Sequence, residues 1–551
     1  MAYPTLDQYN EAFQAHATVL ADPELKAGML STTSFGLPLA ISGGFALTYT
    51  MQTARGKFAV RCFHREAPGI ERRYAAISKR LAALGSPRFV DFEFQPRGIA
   101  VGGRACPIVK MAWAAGETLG QFLEAQRGSP AAIGRLASAL GELAAMLARE
   151  GIAHGDLQPG NIMVARGGSD LRLIDYDGMY VDEIKDLGSA ELGHVNFQHP
   201  GRKSANPFGP ELDRFSLIAI SLALKALAID PSLWGKTNSE ADALLFRAND
   251  FVDPGSSAVF SALWANPALA ADAKNFAAVC AAPIGKAPSL AEFFAGQRIP
   301  PSSIALSAEP RPAARRAGYI SPYPVVDATD FAACLRQVGD MVEVVGRVVE
   351  VREGKARNRK PYVFVNFGDW RGEIFKVAVW SEGLAAIKPK PGSALVGKWV
   401  SVVGLMEPPY DGRARSVSYR HLSISVSGPG QLSPIDEAQA RWRLAGPKPI
   451  DSARPANAET LDRIKGRAPA TAASGTWPTP AAAGASSGNK AILDKIHAAQ
   501  PPRPSPPHPT LTPPATGGSS HPRASAQAAS KPKGGPKTAG LLERLISWLF
   551  H

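Results

Sequence analysis

Acidic and amide side chains follow one another at close spacing in the middle of the chain, in segments 152–164 and 171–178. Asp156 is followed five residues later by Asn161, and Asp175 comes at the end of the next predicted strand. Carboxylate and amide oxygens are ligands that Mg²⁺ takes in proteins. Moving the terminal phosphoryl group of ATP needs such ligands and a carboxylate beside the attacking hydroxyl. Asp156, Asn161 and Asp175 are therefore candidates for such a site.

A hairpin and a buried helix are predicted to position these side chains. Segments 161–164 and 171–174 have the composition of short strands, and the turn 166–170 between them contains two glycines, which is a hairpin signal. The segment 131–149 is rich in alanine and leucine and is apolar nearly all round. That pattern is typical of a buried helix, which we expect to lead into the loop that carries Asp156.

The order of these motifs resembles that of the protein-kinase family. The loop from Asp156 to Asn161 resembles the kinase catalytic loop, H-x-D-x-x-x-x-N, and the segment that begins at Asp175 resembles the D-F-G segment. The resemblance implies that Asp156 is the catalytic carboxylate and that Asn161 and Asp175 hold Mg²⁺. Gln158 stands where kinases have a lysine, so it could hydrogen-bond a phosphate without neutralising it.

Residues before this loop resemble the nucleotide-binding lobe of the same family. Gly43 and Gly44 resemble a reduced glycine-rich loop, with an ordinary hairpin turn as the alternative. Strand 57–63 resembles the kinase V-A-I-K strand, which implies that Ala59 packs on adenine while Arg61 replaces the phosphate-binding lysine. Arginine keeps the charge but differs in reach and shape, so the replacement bears on phosphoryl transfer more than on ATP binding.

Two further segments of this lobe resemble kinase elements. Glu71, in the predicted helix 70–81, is the best candidate to pair with Arg61, and a solvated helix-end glutamate is the alternative. The segment 107–119 resembles the kinase hinge, whose backbone bonds adenine. The resemblance assigns the adenine contacts to Met111, Ala112, Trp113 and Ala114.

Three residues after the loop complete the pattern. Asp213 resembles the buried aspartate that ties the kinase catalytic loop to its lobe, so we expect a structural role for it. His194 and His199 suggest a metal site, with local hydrogen bonding in a turn as the alternative, because no further ligand cluster is nearby in the sequence. The motifs together are similar to those of bacterial kinase-like proteins, some of which accompany stress-response or phage-conflict genes, and this association is analogy only.

A change of composition marks a second domain. Five β-rich runs, with a predicted helix before the fourth, resemble an OB-fold barrel. A basic loop, 352–360, follows the first run, and Tyr362, Phe364 and Trp370 come soon after it. Because bases stack on aromatic rings while cations hold phosphates, single-stranded nucleic acid is a candidate partner for residues 352–370. The alternative is a solvated basic hairpin on a barrel that binds protein.

Charge and cysteine usage indicate the nature of the C-terminal tail and the cellular compartment. The net charge is +13, of which residues 446–551 supply +8 through 13 Lys/Arg against 5 Asp/Glu. This tail is rich in Pro, Ala, Ser and Gly, which predicts disorder. Its end, 539–551, predicts an amphipathic helix that docks on a protein partner or on this chain, with a membrane surface as the alternative. Four scattered cysteines, no signal peptide and no spanning apolar run favour a cytoplasmic protein.

The sequence thus predicts an α+β chain: a bilobal protein-kinase-like fold, then a small all-β OB-like barrel and a disordered tail. The expected function is an ATP-dependent phosphotransferase that acts on Ser/Thr of protein substrates and uses ATP and Mg²⁺. Two alternatives stay open: a pseudokinase scaffold that binds nucleotide and signals through the barrel and tail, and a nucleic-acid-associated regulator. The expected parts are a helical extension (1–34), the kinase-like domain (35–297), a linker (298–325), the OB-like domain (326–430), the tail (431–538) and the amphipathic helix (539–551).

Overall fold

The structure, a computed structural model, describes residues 3–446 apart from 33–35, 37, 43–45, 65–68, 238–242, 310–317, 356–358, 388, 415–416 and 429. Gly43 and Gly44 and everything predicted beyond residue 446, including the helix at 539–551, lie outside the described residues. The described chain combines helices with antiparallel and mixed sheets, so the coarse α+β prediction is confirmed.

A six-stranded antiparallel sheet forms most of the first part of the chain, in the order β1-β3-β4-β6-β5, with β2 added to β3. The two-residue period of β4 points Val60 and Cys62 into an apolar cluster on one face of the sheet. Ala59 and Arg61 therefore face the other side, where the candidate site lies. The strands are β1 Met29–Leu30, β2 Ala40–Ser42, β3 Ala46–Thr53, β4 Gly56–Phe63, β5 Phe92–Val101 and β6 Arg104–Ala112.

Helices cover both sides of this sheet. The first begins with a capping box, because Thr5 accepts the Gln8 N–H while the Gln8 side chain accepts the Thr5 N–H. Its Tyr9 and Phe13 lie four residues apart and are both fully buried in the same apolar cluster as Val60. The helices of this part are α1 Leu6–Gln14, α2 His16–Val19, α3 Pro23–Lys26 and α4 Ile70–Leu84.

The next part is helical, and its core is the pair α6 and α8. α6 begins at a Ser129 cap with Pro130 in its first turn and ends at Gly151 in a left-handed conformation. By length and composition α6 could cross a membrane, but eight of its side chains pack into the helical core. The elements are β7 Glu117–Thr118, α5 Leu119–Gln126, α6 Pro130–Glu150, β8 Ile162–Ala165, β9 Asp170–Leu173, α7 Arg202–Ala205, α8 Arg214–Ile229, α9 Leu233–Lys236, α10 Ala248–Val252, α11 Ala258–Trp264, α12 Ala270–Ala281 and α13 Leu290–Phe294.

Two sheets enclose the core of the last described part. The first has the order β10-β11-β15-β18 and the second β12-β13-β14-β17-β16, in which β14 and β17 are parallel. The five predicted β-rich runs all fall on strands, and the predicted helix before the fourth is α15. The elements are β10 Val325–Asp327, α14 Phe331–Leu335, β11 Met341–Arg347, β12 Glu350–Lys355, β13 Pro361–Asn366, β14 Glu373–Val379, α15 Ser381–Ala386, β15 Trp399–Leu405, β16 Tyr410–Ala414, β17 Val417–Ser425, β18 Leu432–Ile435 and α16 Glu437–Leu444.

The hydrogen-bonded strand pairs of the described residues do not close into one barrel, which departs from the predicted OB-like barrel. The chain changes partners between β11 and β12, where the Val348 N–H donates to Lys398 O and the Val349 N–H donates to Asn366 O. On the opposite side the Glu407 N–H donates to Ser423 O, and the Ser423 hydroxyl donates to the Glu407 carboxylate. Isolated bonds replace a continuous ladder at both junctions, so two sheets result.

The predicted start of the tail at residue 431 is wrong. β18 pairs with β15 by four residues, and α16 follows it. Arg443 of α16 forms a buried ion pair with Glu343 of β11, at 2.7 Å between Nη1 and Oε1. The described structure therefore continues to residue 446. The first and last parts also share a core, because Leu405 belongs to the apolar cluster of Tyr9 and Phe13.

Candidate active site

Arg61 joins the sheet to the loop after β9. Its guanidinium contacts two carboxylates, with Nη1 2.6 Å from Oδ1 of Asp175 and Nη2 2.7 Å from Oδ2 of Asp177. The Arg61 side chain is almost fully buried and Asp177 nearly so, while the Asp175 side chain is 37% exposed. Two charge-assisted bonds in the fork geometry of arginine fix the distance between β4 and this loop.

Asp177 has a second partner on helix α4. The Tyr74 hydroxyl donates a short hydrogen bond to Asp177 Oδ1, and the Tyr74 ring packs edge-on against Phe63 and Phe92. Glu71, predicted to pair with Arg61, is exposed one turn earlier in the helix, and both terminal nitrogens of Arg61 are bound to aspartates. That prediction is wrong, and Asp177 takes the place proposed for Glu71.

Asp156 is held by three donors. The amide nitrogens of Gln158 and Asn161 donate to its Oδ2 at 2.7 and 2.9 Å, and the backbone N–H of His194 donates to its Oδ1 at 2.7 Å. Asn161 also donates to the backbone oxygen of Asp156 at 3.0 Å. The carboxylate therefore has a fixed orientation. The Gln158 amide, expected at a phosphate, is instead committed to Asp156.

The backbone around Asp156 is tightly constrained. Gly155 has a φ of +80°, and a Cβ built there would lie 2.1 Å from the carbonyl oxygen of Gly178. A side chain does not fit in this conformation, which accounts for glycine where the kinase motif has arginine. Asp213 accepts the backbone N–H groups of His154 at 2.5 Å and Gly155 at 2.8 Å. The predicted structural role of Asp213 is thus confirmed.

The two strands of the predicted hairpin bring the remaining acids to this loop. β8 and β9 pair in register from Ile162 opposite Leu173. Beyond the pair, the Ile174 N–H donates to Asn161 O at 3.1 Å, which places Asp175 next to Asn161 in space. Asp175 itself has a φ of +66°, a strained conformation for a residue other than glycine. The ion pair of Asp175 with Arg61 and the hydrogen bond from Ile174 to Asn161 hold this turn in place.

Three acidic side chains converge and could hold a cation. One oxygen each from Asp175, Asp177 and Glu191 lies within 4.8 Å of the other two. Carboxylate oxygens suit Mg²⁺, so these side chains fit the predicted metal. Of the two predicted ligands, Asp175 lies in this cluster with Asp177 and Glu191, while Asn161 directs its amide nitrogen to Asp156.

Burial and mutual charge set the protonation of these acids. Burial raises the pKa of Glu191 well above its usual range, and the nearby carboxylates of Asp177, Asp175 and Asp156 raise it further. Burial also raises the pKa of Asp177, although Arg61 opposes this. For Asp175 the Arg61 charge outweighs burial, and the pKa is lowered. The pKa values of Asp177 and Glu191 are thus raised while that of Asp175 is lowered, because only at Asp175 does the Arg61 charge outweigh burial.

The expected adenine contacts lie at the end of β6, an interior strand of the same sheet, and just after it. Met111 of β6 is buried opposite Ala59 of β4. The Ala112 N–H donates to Asp91 O, and the Trp113 N–H donates to Lys57 O. In the described part of the chain the Ala114 N–H has no hydrogen-bond partner. It is the free backbone donor just after β6.

Trp113 is half-exposed directly after β6. The Lys57 ammonium lies 3.4 Å above the centre of its ring, a cation–π contact that holds the indole outward.

His199 forms local bonds rather than a metal site. Its Nδ1 accepts the Gly201 N–H at 2.9 Å, and its Nε2 lies 3.1 Å from Val279 O. His194 Nδ1 accepts the Asn196 N–H at 3.3 Å. The hydrogen-bonding alternative is the one that the structure bears out.

Sequence reasoning missed Tyr74, Asp177 and Glu191. Asp177 carried a signal, because it occupies the position of the glycine in D-F-G and adds a carboxylate two residues after Asp175. Tyr74 and Glu191 carried none, since only folding brings α4 and the segment before Gly193 to this loop. No protein-family model matches the chain, and a search of curated proteins also finds no match.

Proposed function

We propose that this chain is an ATP-dependent phosphotransferase of protein-kinase-like, bilobal fold that acts on Ser/Thr hydroxyls of protein substrates. The observation that carries the proposal is the environment of Asp156. Its carboxylate is oriented by three donors, and it lies close enough to Asp175 and Asp177 for all three to raise the pKa of Glu191. An oriented carboxylate beside candidate metal ligands is what hydroxyl activation requires.

The fold gives further support. An antiparallel sheet supplies Arg61 from β4, and a mainly helical part supplies Asp156 after α6. The two parts meet at the Arg61–Asp175 contact, as a bilobal enzyme with its site between lobes would require. The OB-fold proposal for residues 326–430 rests on the strand order and on the parallel pair β14–β17.

Each residue has a defined role in the proposed reaction. Asp156 orients the substrate hydroxyl and accepts its proton as the oxygen attacks the terminal phosphorus of ATP and the bond from that phosphorus to ADP breaks. Arg61 steadies the phosphates through its guanidinium, and Asp175 with Asn161 would hold Mg²⁺. When bound, Mg²⁺ neutralises charge on the phosphates. The free Ala114 N–H and the apolar side chains of Met111 and Ala59 would receive adenine.

A labelling assay tests this function. The full chain is incubated with Mg²⁺ and ATP labelled on the terminal phosphate, alone and with generic protein substrates. Asp156→Asn is expected to lower the labelling rate by about a thousandfold or more, since it removes the proton acceptor. Asp182→Asn is the matched control, because that carboxylate is exposed and pairs only with Lys185 and Tyr180. Equal labelling by wild type and Asp156→Asn would remove the proposal.

One observation favours a nucleotide-binding scaffold as the second candidate. Arg61 is already neutralised by Asp175 and Asp177, and Gln158 is bound to Asp156, so neither is free to meet a phosphate in this arrangement. A scaffold would bind Mg-ATP without transferring phosphate. A rise in melting temperature with Mg-ATP, together with no labelling, would select it over the enzyme.

A further inference from the structure

The chain that joins the helical part to the last part, residues 318–446, stays attached to the helical part. Three apolar side chains of the joining segment pack against the helical core: Ile299, Ile304 and Leu306. Further along, the amide nitrogen of Asn249 on α10 donates to Gly318 O at 2.9 Å, and its amide oxygen accepts the Ile320 N–H at 3.1 Å. Both ends of the Asn249 amide therefore hold the start of the last part, and we call this contact the helical anchor.

Directly after this anchor the chain binds a buried carboxylate of the last part. Glu343 of β11 is only 1% exposed. Its oxygens accept the hydroxyls of Ser321 at 2.8 Å and Ser401 at 2.7 Å, and its Oε1 also pairs with Arg443 of α16 at 2.7 Å. A buried carboxylate with three donors has a fixed orientation, so segment 318–321, β11, β15 and α16 are joined as one unit.

The same strand of the last part also reaches the first sheet. Met341, two residues before Glu343, is paired with Leu405 of β15. Leu405 is buried in the apolar cluster of Tyr9 and Phe13, and Met341 packs against the same cluster. Burial of apolar surface is the main attraction in a contact of this kind. We call this contact the sheet anchor.

The sheet anchor leads to the strand that carries Arg61. The Tyr9 hydroxyl donates to Phe63 O at 2.8 Å in the interior of the molecule. Phe63 is the last residue of β4 and comes two positions after Arg61. Helix α1 is thus held between the last part of the chain and the strand that supplies the arginine of the candidate site.

The helical anchor leads to Asp156 through a similar series of contacts. The N–H of Ala248, the residue before Asn249, donates to Oδ1 of Asn196 at 2.9 Å. The Asn196 N–H donates in turn to His194 Nδ1, and the His194 N–H donates to the Asp156 carboxylate. Helix α10 is thus fixed to the segment that orients Asp156. Contacts through the last part therefore connect both sides of the candidate site.

We propose that the last part, residues 318–446, is a brace that holds the sheet and the helical part at one separation and so sets the distance between the Arg61 and Asp156 sides of the site. Parts of a chain that share few contacts move relative to one another by default. Two anchors on two different parts, joined rigidly through Glu343, oppose that motion. Release of either anchor frees the sheet and the helical part to move, which makes the brace a regulatory device built into the fold.

A distance measurement on the full chain tests the brace. Spin labels are attached to Arg55→Cys on the sheet and to Lys274→Cys on α12 of the helical part, and both positions are exposed. The four native cysteines are buried, so we expect them not to take the label. Double electron–electron resonance then gives the distribution of the distance between the two labels, and its width reports how far the sheet and the helical part move relative to each other.

Each anchor is released by one substitution that has a matched control. Asn249→Ala removes the helical anchor, and its control is Asn266→Ala, because the Asn266 side chain accepts the Ala268 N–H in an exposed turn. Leu405→Ser weakens the sheet anchor, and its control is Leu395→Ser, because Leu395 packs against the core of the last part instead. Each anchor variant should broaden the distance distribution about twofold, and the controls should leave it unchanged.

Unchanged widths in both anchor variants would overturn the proposal. Equal broadening by Leu405→Ser and Leu395→Ser would also overturn it, because the cause would then be lost stability of the last part and not a lost anchor. Melting temperatures show which variants are folded, and Asn249→Ala decides alone if Leu405→Ser does not fold. The distance measurement requires no phosphate transfer, so failure of the proposed phosphotransferase in the labelling assay and failure of the brace are separate results.

Discussion

Two buried cations on two sheets of this molecule have opposite surroundings. Arg61 on β4 is 7% exposed and Lys376 on β14 is 8% exposed, so each has lost nearly all its water. Arg61 meets two carboxylates at 2.6 and 2.7 Å, whereas Lys376 meets a neutral imidazole and an aromatic ring. Arg61 is neutralised by two carboxylates, whereas among the described residues no carboxylate lies within ion-pair distance of Lys376.

The pKa values express the same difference. Burial lowers the pKa of both groups, but Asp175 and Asp177 outweigh it at Arg61 and raise its pKa well above the ordinary value. At Lys376 nothing outweighs burial, and the pKa falls to about 8. Equal burial thus produces opposite shifts, because the partners decide the sign. A paired cation holds the fold together, and a buried cation without an ion pair costs stability.

The largest expected effect is at Arg61. Arg61→Met leaves the largely buried Asp177 and the 37% exposed Asp175 without their cation, so the free energy of unfolding should fall by about 3 kcal/mol, the lower end for a buried pair because water screens Asp175. Chemical denaturation at neutral pH measures it. Adding Asp177→Asn to this variant should recover part of the loss, because one unpaired charge is removed. A loss below about 1 kcal/mol would show that the ion pairs of Arg61 contribute no more to stability than exposed ion pairs do.

The opposite sign is expected at Lys376. Lys376→Met removes a buried unpaired charge and should raise the free energy of unfolding by about 2 kcal/mol at pH 7. The folded pKa of about 8 is below the ordinary 10.5, so between these values the unfolded chain binds more protons. Wild-type stability should therefore rise with pH across that window, and the advantage of the variant should vanish near its upper end. An advantage that does not depend on pH would contradict this account.

Tyr74→Phe should have a smaller effect. It removes the hydroxyl that donates to Asp177 but keeps the ring packing against Phe63 and Phe92. A hydrogen bond to a charged group contributes about 1.5 kcal/mol, and we expect a loss of that size in the free energy of unfolding. In the labelling assay the variant should also lower the rate, since Asp177 positions Arg61. If neither the free energy of unfolding nor the labelling rate changed, the Tyr74 hydroxyl on α4 would have no role in holding Asp177.

The smallest effect is expected on the exposed side of the same helix. Arg72 pairs with Asp186 at 2.6 Å, but both side chains are more than half exposed. Water and salt screen such a pair, so Arg72→Gln should leave the free energy of unfolding almost unchanged. This variant is the matched control for Arg61→Met. A comparable loss in both would mean that burial does not distinguish the two arginines.

Local patterns were sufficient to predict many elements. The apolar periodicity of 131–149 predicted α6, the glycine turn at 166–170 predicted the β8–β9 hairpin, and five β-rich runs predicted five strands. The predictions failed where distant segments decide the outcome. Residues 432–444 lack a strong signal of their own, and their strand and helix are stabilised by contacts with β11 and β15.

In the candidate site, too, some features could be predicted from the sequence and others only from the tertiary structure. The sequence placed Asp156 and Asn161 in one loop but assigned Asn161 to Mg²⁺, and only the structure shows its amide nitrogen donating to Asp156. The partner of Arg61 was not predictable, since Glu71 and Asp177 are both plausible carboxylates in the sequence. Only packing of Tyr74 against Phe63 and Phe92 orients α4 so that Tyr74, and not Glu71, faces the site.

The sequence by itself determined the residue types and the local hydrophobic patterns of this chain. Those patterns in turn determined its strands, its buried helix and the loop that carries Asp156. The tertiary structure alone decided how the two buried cations are neutralised. Ion pairing depends on distances of a few ångströms between segments more than a hundred residues apart, as between Arg61 and Asp175. Side-chain packing sets such distances, and a one-dimensional pattern does not contain them.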